Sequence, residues 1–280
     1  MKQNGYKIKG VEGNVLFFRV FEPESKPLAV ICLVHGLSDH SGRYEHWASL
    51  FTQKGFAFTS IDLTGHGYSD GKRGHASFKR LYNDISSLIA ETESIFPEVP
   101  IILYGHSLGA SLVLNYYIEK RPKTIGMIVS SPWLKLSSPP LIYKQIIAKI
   151  IKYFYPSFIR EDELIPQNIS RDPDIVQSYI YDKLVHGKIS LKLFFDASIH
   201  GKEVIGKSYQ INQPILIMHG SADGITSWKS STLFARNTGK FTTFKIWDGC
   251  YHELHNEPNK LEIFEFIYNW IITNFNFPVK

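Results

Sequence analysis

Apolar residues fall along this chain in two rhythms. Residues 28–34 read Leu28-Ala29-Val30-Ile31-Cys32-Leu33-Val34, with no polar interruption. Shorter runs of the same kind recur at 56–61, 101–104, 125–129, 215–218 and 242–247. A strand buried on both faces has this pattern, and such strands belong to parallel sheets covered by helices. Between the runs the apolar spacing lengthens to that of a helix, over roughly 43–54, 77–95, 108–120, 227–236 and 260–274. Near the start, residues 6–12 and 15–22 alternate apolar and polar around Gly13-Asn14, which predicts a hairpin. Strand and helix in alternation predict an α/β fold, a mostly parallel central sheet with helices on both faces.

The alternation breaks after Ser130-Ser131-Pro132-Trp133 and resumes at Pro214. Three helix-like pieces fill the gap, at 141–155, 173–183 and 190–203. A βα loop typically takes about 2–6 residues, so this segment is an insertion. The expected organisation is a core of residues 1–134 and 205–280, with residues 135–204 as a helical cap over the carboxyl ends of the strands, where open α/β sheets bind ligands. In the piece 141–155, Lys144, Gln145, Ala148, Lys149 and Lys152 share one side of a helical wheel. The other side carries Ile142, Tyr143, Ile146, Ile147, Ile150, Ile151, Tyr153 and Phe154. Two readings fit this: a lid packing its apolar stripe onto the core, or an interfacial helix making peripheral contact with a membrane.

Composition narrows the functional classes. With 280 residues, 44% hydrophobic and 20% charged, the chain has enough apolar surface for a large core. A net charge of +5 against 26 acidic residues is too small for a nucleic-acid footprint, so no nucleic-acid partner is expected. Cys32 and Cys250 make no disulfide framework. No run of 18 uncharged apolar residues is present, and the N-terminus leads into no apolar stretch. A cytoplasmic protein is expected, peripheral at a membrane if the amphipathic helix is interfacial. Oligomeric state is not legible.

The strongest chemical signal is Gly105-His106-Ser107-Leu108-Gly109, between a strand and a helix. G-x-S-x-G in that context makes a sharp turn that lifts the Ser hydroxyl above the sheet. The N–H of Leu108, at a helix N-terminus, aims where an oxyanion would form. A serine nucleophile needs a base, and the base an orienting acid, here in the chain order Ser, acid, His. Asp223 follows the run 215–218 within His219-Gly220-Ser221-Ala222-Asp223. The bases on offer are His252 and His255, with His252 favoured by its place on the loop before the last helix. After Val34 the chain reads His35-Gly36-Leu37-Ser38-Asp39-His40-Ser41-Gly42-Arg43-Tyr44, and the Leu37 N–H is the natural second oxyanion donor. Asp39 and Arg43 form a polar pair able to engage a hydroxyl-bearing head group. His66, between two glycines, reads as structural, and Cys250 has no evident base.

Taken together, these motifs resemble those of the monoacylglycerol lipase and lysophospholipase branch of the serine α/β-hydrolases. The resemblance spans about residues 8–272 and includes Asp62 with Gly65-His66-Gly67, Gly220-Ser221-Ala222-Asp223, Tyr251-His252, and Asp182-Lys183-Leu184-Val185-His186-Gly187-Lys188. It implies an α/β-hydrolase fold and an acyl-enzyme mechanism on a single-chain lipid ester, either monoacylglycerol or lysophospholipid. It places nucleophile, acid and base on Ser107, Asp223 and His252, and oxyanion donors on Leu37 and Leu108. Asp39, Arg43 and His255 fall at the polar end of the glycerol pocket. No cofactor or metal is implied. The chain departs from the pattern at Asp39, where the family more often has Glu, and at Ala110, where it has Gly. A serine peptidase or amidase on the same fold, and a binding protein that has lost catalysis, are the competing expectations.

Overall fold

The computed structural model describes residues 2–161 and 165–278. In chain order the elements are β1 (Lys2–Lys9), β2 (Val15–Glu22), β3 (Val30–Val34), α1 (Glu45–Gln53), β4 (Ala57–Ile61), α2 (Phe78–Ile95), β5 (Ile101–His106), α3 (Leu108–Lys120) and β6 (Gly126–Ser130). There follow α4 (Ile142–Phe154), β7 (Ile159–Glu161), α5 (Pro173–Tyr181), β8 (Lys188–Ser190), α6 (Leu191–Lys207), β9 (Ile215–Gly220), α7 (Trp228–Thr238), β10 (Thr242–Trp247) and α8 (Lys260–Phe275). An eight-stranded sheet has the order β1-β2-β4-β3-β5-β6-β9-β10. β2 pairs antiparallel with β1 and with β4, and every other ladder is parallel.

Five of the apolar runs, in β3, β4, β5, β6 and β9, are strands buried on both faces, and the period-2 geometry divides them; the sixth, β10, is an edge strand and only half-buried. Val30, Cys32 and Val34 of β3 join the core beneath α2, α3, α6 and α7. Ile31 and Leu33 face the opposite core, closed by α1 and α8 through Trp47, Phe51, Phe264 and Ile267. α2 starts at Ser77, whose hydroxyl accepts from the Arg80 N–H at 3.2 Å, capping a first-turn donor.

Between β6 and β9 the chain leaves the sheet. α4, α5 and α6 stand where helical pieces were expected, and β7 and β8 add a short antiparallel ribbon that the pattern did not reveal. Ile169, Val176 and Tyr179 form a small apolar cluster of their own. α6 crosses the expected boundary at 204, and Leu193, Ala197, Val204 and Ile205 on its inner face belong to the sheet's main core. α4 packs differently from the lid expectation: none of its residues is buried, and Ile142, Ile146, Ile150 and Tyr153 point into solvent. Among the described residues, no helix is long and apolar enough to cross a membrane.

Candidate active site

The turn from β5 into α3 sets the position of Ser107. Its backbone sits at φ 54° and ψ −116°, a strained conformation for an L-residue. The neighbouring glycines let the chain make this turn. A Cβ on Gly105 would lie 2.5 Å from the Ala110 Cα, and one on Gly109 would lie 2.1 Å from the Val34 carbonyl oxygen. Gly109 therefore brings α3 against β3, so that the Ser107 hydroxyl stands at the carboxyl edge of the sheet beside the loop after β3. Gly36 makes a similar approach, with the Ser107 Cβ 3.2 Å from where its own Cβ would be.

β9 and β10 deliver the other two groups. Ser107 Oγ donates to His252 Nε2 at 2.9 Å, across 145 residues of sequence. His252 Nδ1 donates to Asp223 Oδ2 at 2.7 Å. Asp223 is itself held: Oδ1 accepts from the N–H groups of Ile225 (2.7 Å) and Thr226 (2.9 Å), and Oδ2 accepts from Thr226 Oγ1 (2.9 Å). His219 Nε2 adds a fifth donor to this carboxylate at 2.9 Å, while its Nδ1 accepts from Ser231 Oγ at 2.8 Å. Burial raises the carboxyl pKa, but the His252 and His219 rings outweigh it and hold Asp223 far below the ordinary carboxylate range. Burial likewise pushes the His252 imidazole down, and the Asp223 carboxylate more than reverses this, leaving it above its ordinary value. His252 thus binds a proton more readily than a free histidine does, as a base must.

A cavity of about 330 Å3 opens over these groups. Gly36, Leu37, Asp39, His106, Ser107 and His252 line it from the sheet's edge, and Leu136, Asn168, Tyr179, Ile189 and Phe194 from the segment between β6 and β9. Leu37 lines the cavity along with Ser107, and Leu108, next to Ser107 in the chain, is the first residue of α3.

The three residues expected at a polar head-group end separate in space. Asp39 lines the cavity; Arg43 and His255 do not. Arg43 lies behind, donating to Asp39 Oδ1 (3.0 Å) and bidentately to Glu253 Oε1 and Oε2 (both 2.7 Å), with its guanidinium 4.8 Å from the Tyr179 ring centre. His255 is fully buried, stacked on Tyr44 at 4.5 Å and 5.0 Å from the His106 ring. The direct substrate contact expected of His255 and Arg43 is therefore corrected: both support the wall from behind. Burial drives the His106 and His255 imidazoles well below the ordinary value, so both are neutral at pH 7. Glu253 does line the cavity, and although it adjoins His252 in the sequence, its pairing with Arg43 across 210 residues is what marks it. His219 opens the stretch His219-Gly220-Ser221-Ala222-Asp223, but its turn toward Asp223 has no sequence signal.

A family model described as Hydrolase_4, serine aminopeptidase S33, matches residues 25–259. The solved monoacylglycerol lipase of Paleococcus ferrophilus superposes with a TM-score of 0.85 at 32% identity, covering 92% of this chain and 99% of that one. The chain belongs to the monoacylglycerol lipase and lysophospholipase family of α/β-hydrolases. A further relative, a monoacylglycerol lipase of Mycolicibacterium smegmatis, is 29% identical over 96% of this chain and 97% of its own length. An uncharacterized abhydrolase domain-containing protein of Dictyostelium discoideum is 35% identical over 91% of this chain, which spans 27% of that longer protein. In this chain the family's G-x-S-x-G turn is Gly105–Gly109, and the sheet order brings it beside the loops after β9 and β10.

Proposed function

We propose that this chain hydrolyses single-chain lipid esters, with monoacylglycerol as the favoured substrate, through an acyl-enzyme formed on Ser107. The observation that carries the reading is the Ser107–His252–Asp223 hydrogen-bond chain on the wall of a cavity lined mostly by apolar side chains, with carboxylates at one end. Monoacylglycerol lipases among the relatives favour the same substrate. Leu37, Trp133, Leu136, Ile189, Phe194 and Ile225 offer an acyl chain a wall it can bury against.

The reaction runs in two halves. His252 Nε2 takes the Ser107 proton as Oγ attacks the ester carbonyl. The N–H groups of Leu37 and Leu108 receive the oxyanion, a donor of this kind contributing typically about 3 kcal/mol. Asp223 keeps the Nδ1 proton in place and stabilises the imidazolium. The imidazolium then protonates the leaving alcohol, and water, deprotonated by His252, releases the fatty acid. Residues 135–204 act as the cap that closes the acyl cavity. The exposed apolar face of α4, with Lys144 and Lys149 also exposed beside it, docks this cap onto an anionic membrane surface and so meets its substrate there.

A peptidase reading draws on the family model's description. It requires a carboxylate to hold a peptide amino terminus, and the two on the cavity wall, Asp39 and Glu253, share one guanidinium, that of Arg43. The test is labelling with an alkyl fluorophosphonate, followed by turnover of a monoacylglycerol, a lysophospholipid, a p-nitrophenyl ester and a peptide amide. Ser107→Ala is expected to abolish labelling and to lower ester turnover by about 10^4 or more. Labelling that persists in this variant, or turnover of the amide alone, overturns the reading.

A further inference from the structure

Behind the head-group end of the cavity lies an arginine already engaged by two carboxylates and a ring. Arg43 donates through NH1 to both Asp39 and Glu253 and through NH2 to Glu253, and Tyr179 covers its plane. Glu253 is almost wholly buried and is fixed further by the Asn256 side-chain amide at 2.7 Å. Asp39 is fixed by the Tyr44 hydroxyl at 2.8 Å and by the His40 N–H at 2.8 Å. Both carboxylates line the cavity; the guanidinium between them does not. Within this cluster two carboxylates share one guanidinium, one negative charge in excess, while the Arg160 cation stands elsewhere on the cavity wall.

We propose that Glu253 makes this end of the cavity a charge filter, admitting monoacyl lipids with uncharged hydroxyl heads and turning away those with a phosphate. This rests on the lipid-ester reading above and specifies its substrate. A carboxylate that accepts two or three bonds keeps lone pairs for a hydroxyl donor. A phosphate has no such proton to give and meets a like charge where solvent screening is weak. The group that would ordinarily clamp it, a planar guanidinium fork, already grips Glu253. The neutral His106 and His255 imidazoles nearby supply no compensating charge. The cation on the cavity wall itself, Arg160, comes from β7, on the segment between β6 and β9, and lies over the Phe194 ring at 5.2 Å.

The filter is tested with two ethers that the enzyme cannot cleave, 1-O-dodecylglycerol and its 3-phosphate, as competitive inhibitors of p-nitrophenyl butyrate hydrolysis. Both are used as monomers with uncharged detergent, so that no anionic surface forms. The wild type is expected to bind the phosphate on the order of a hundredfold more weakly than the glycerol ether. In Glu253→Gln, which removes the excess charge and frees part of the Arg43 fork, that ratio is expected to shrink at least about tenfold. Thermal melting reports whether this variant folds. If it does not, Asp39→Asn removes the other carboxylate charge, leaves the Arg43–Glu253 pair, and is expected to shrink the ratio too. Equal binding of the two ethers by the wild type, or an unchanged ratio in a folded variant, overturns the filter alone. Failure of both ethers to inhibit the wild type overturns the lipid reading and the filter with it.

Discussion

Ser107 owes its placement to backbone strain and its reactivity to a neighbour's proton affinity. Because Asp223 raises the His252 imidazole above its ordinary value, the base is lost to protonation at a higher pH than for a free histidine. The kcat/KM of a p-nitrophenyl ester is therefore expected to rise with pH through a midpoint above about 6.5, measured across pH 5–9. A midpoint below that would show that burial, not Asp223, governs the imidazole. Ser107, Asp223 and His252 were legible from sequence because each follows a strand end, in the order that this chemistry requires. Glu253 and His219 were not, because their importance lies in partners that only folding brings near. Glu253 meets Arg43 across 210 residues, while His219 lies four from Asp223 and reaches it only because the chain turns just after β9.

At the scale of elements, the close approach of α3 to β3 is the sensitive joint. Gly109→Ala would push a methyl group into the Val34 and His35 carbonyl oxygens, both backbone and unable to move aside. A loss of about 2–3 kcal/mol in denaturant unfolding is expected, with ester turnover falling alongside as Ser107 shifts. The buried strands were legible because burial on both faces leaves an uninterrupted apolar run. β7 and β8 were not, because three residues each carry too little pattern to register. For α4 the sequence showed a clean apolar face but not what it meets, and in the structure that face meets solvent. The double variant Ile146→Glu and Ile150→Glu is expected to weaken co-sedimentation with phosphatidylglycerol vesicles at least about tenfold, while turnover of a soluble ester stays unchanged. Undiminished co-sedimentation would place the membrane contact elsewhere.

On the scale of the whole molecule, a single sheet holds three distant parts of the chain at one edge, and the segment between β6 and β9 is stitched to that edge. The Glu253 N–H donates to the Ile169 carbonyl at 2.7 Å, the Ser170 hydroxyl to the Asn256 carbonyl at 2.7 Å, and the Arg171 guanidinium to buried Glu257 at 2.5 Å. The loop that carries the imidazole is thereby fastened to residues 169–171, which belong to another part of the chain. For anyone transplanting this region between relatives, the consequence is practical. A foreign graft that closes neatly over the pocket but lacks counterparts to these three residues would leave the proton acceptor unmoored, and the hybrid would fold yet turn over slowly.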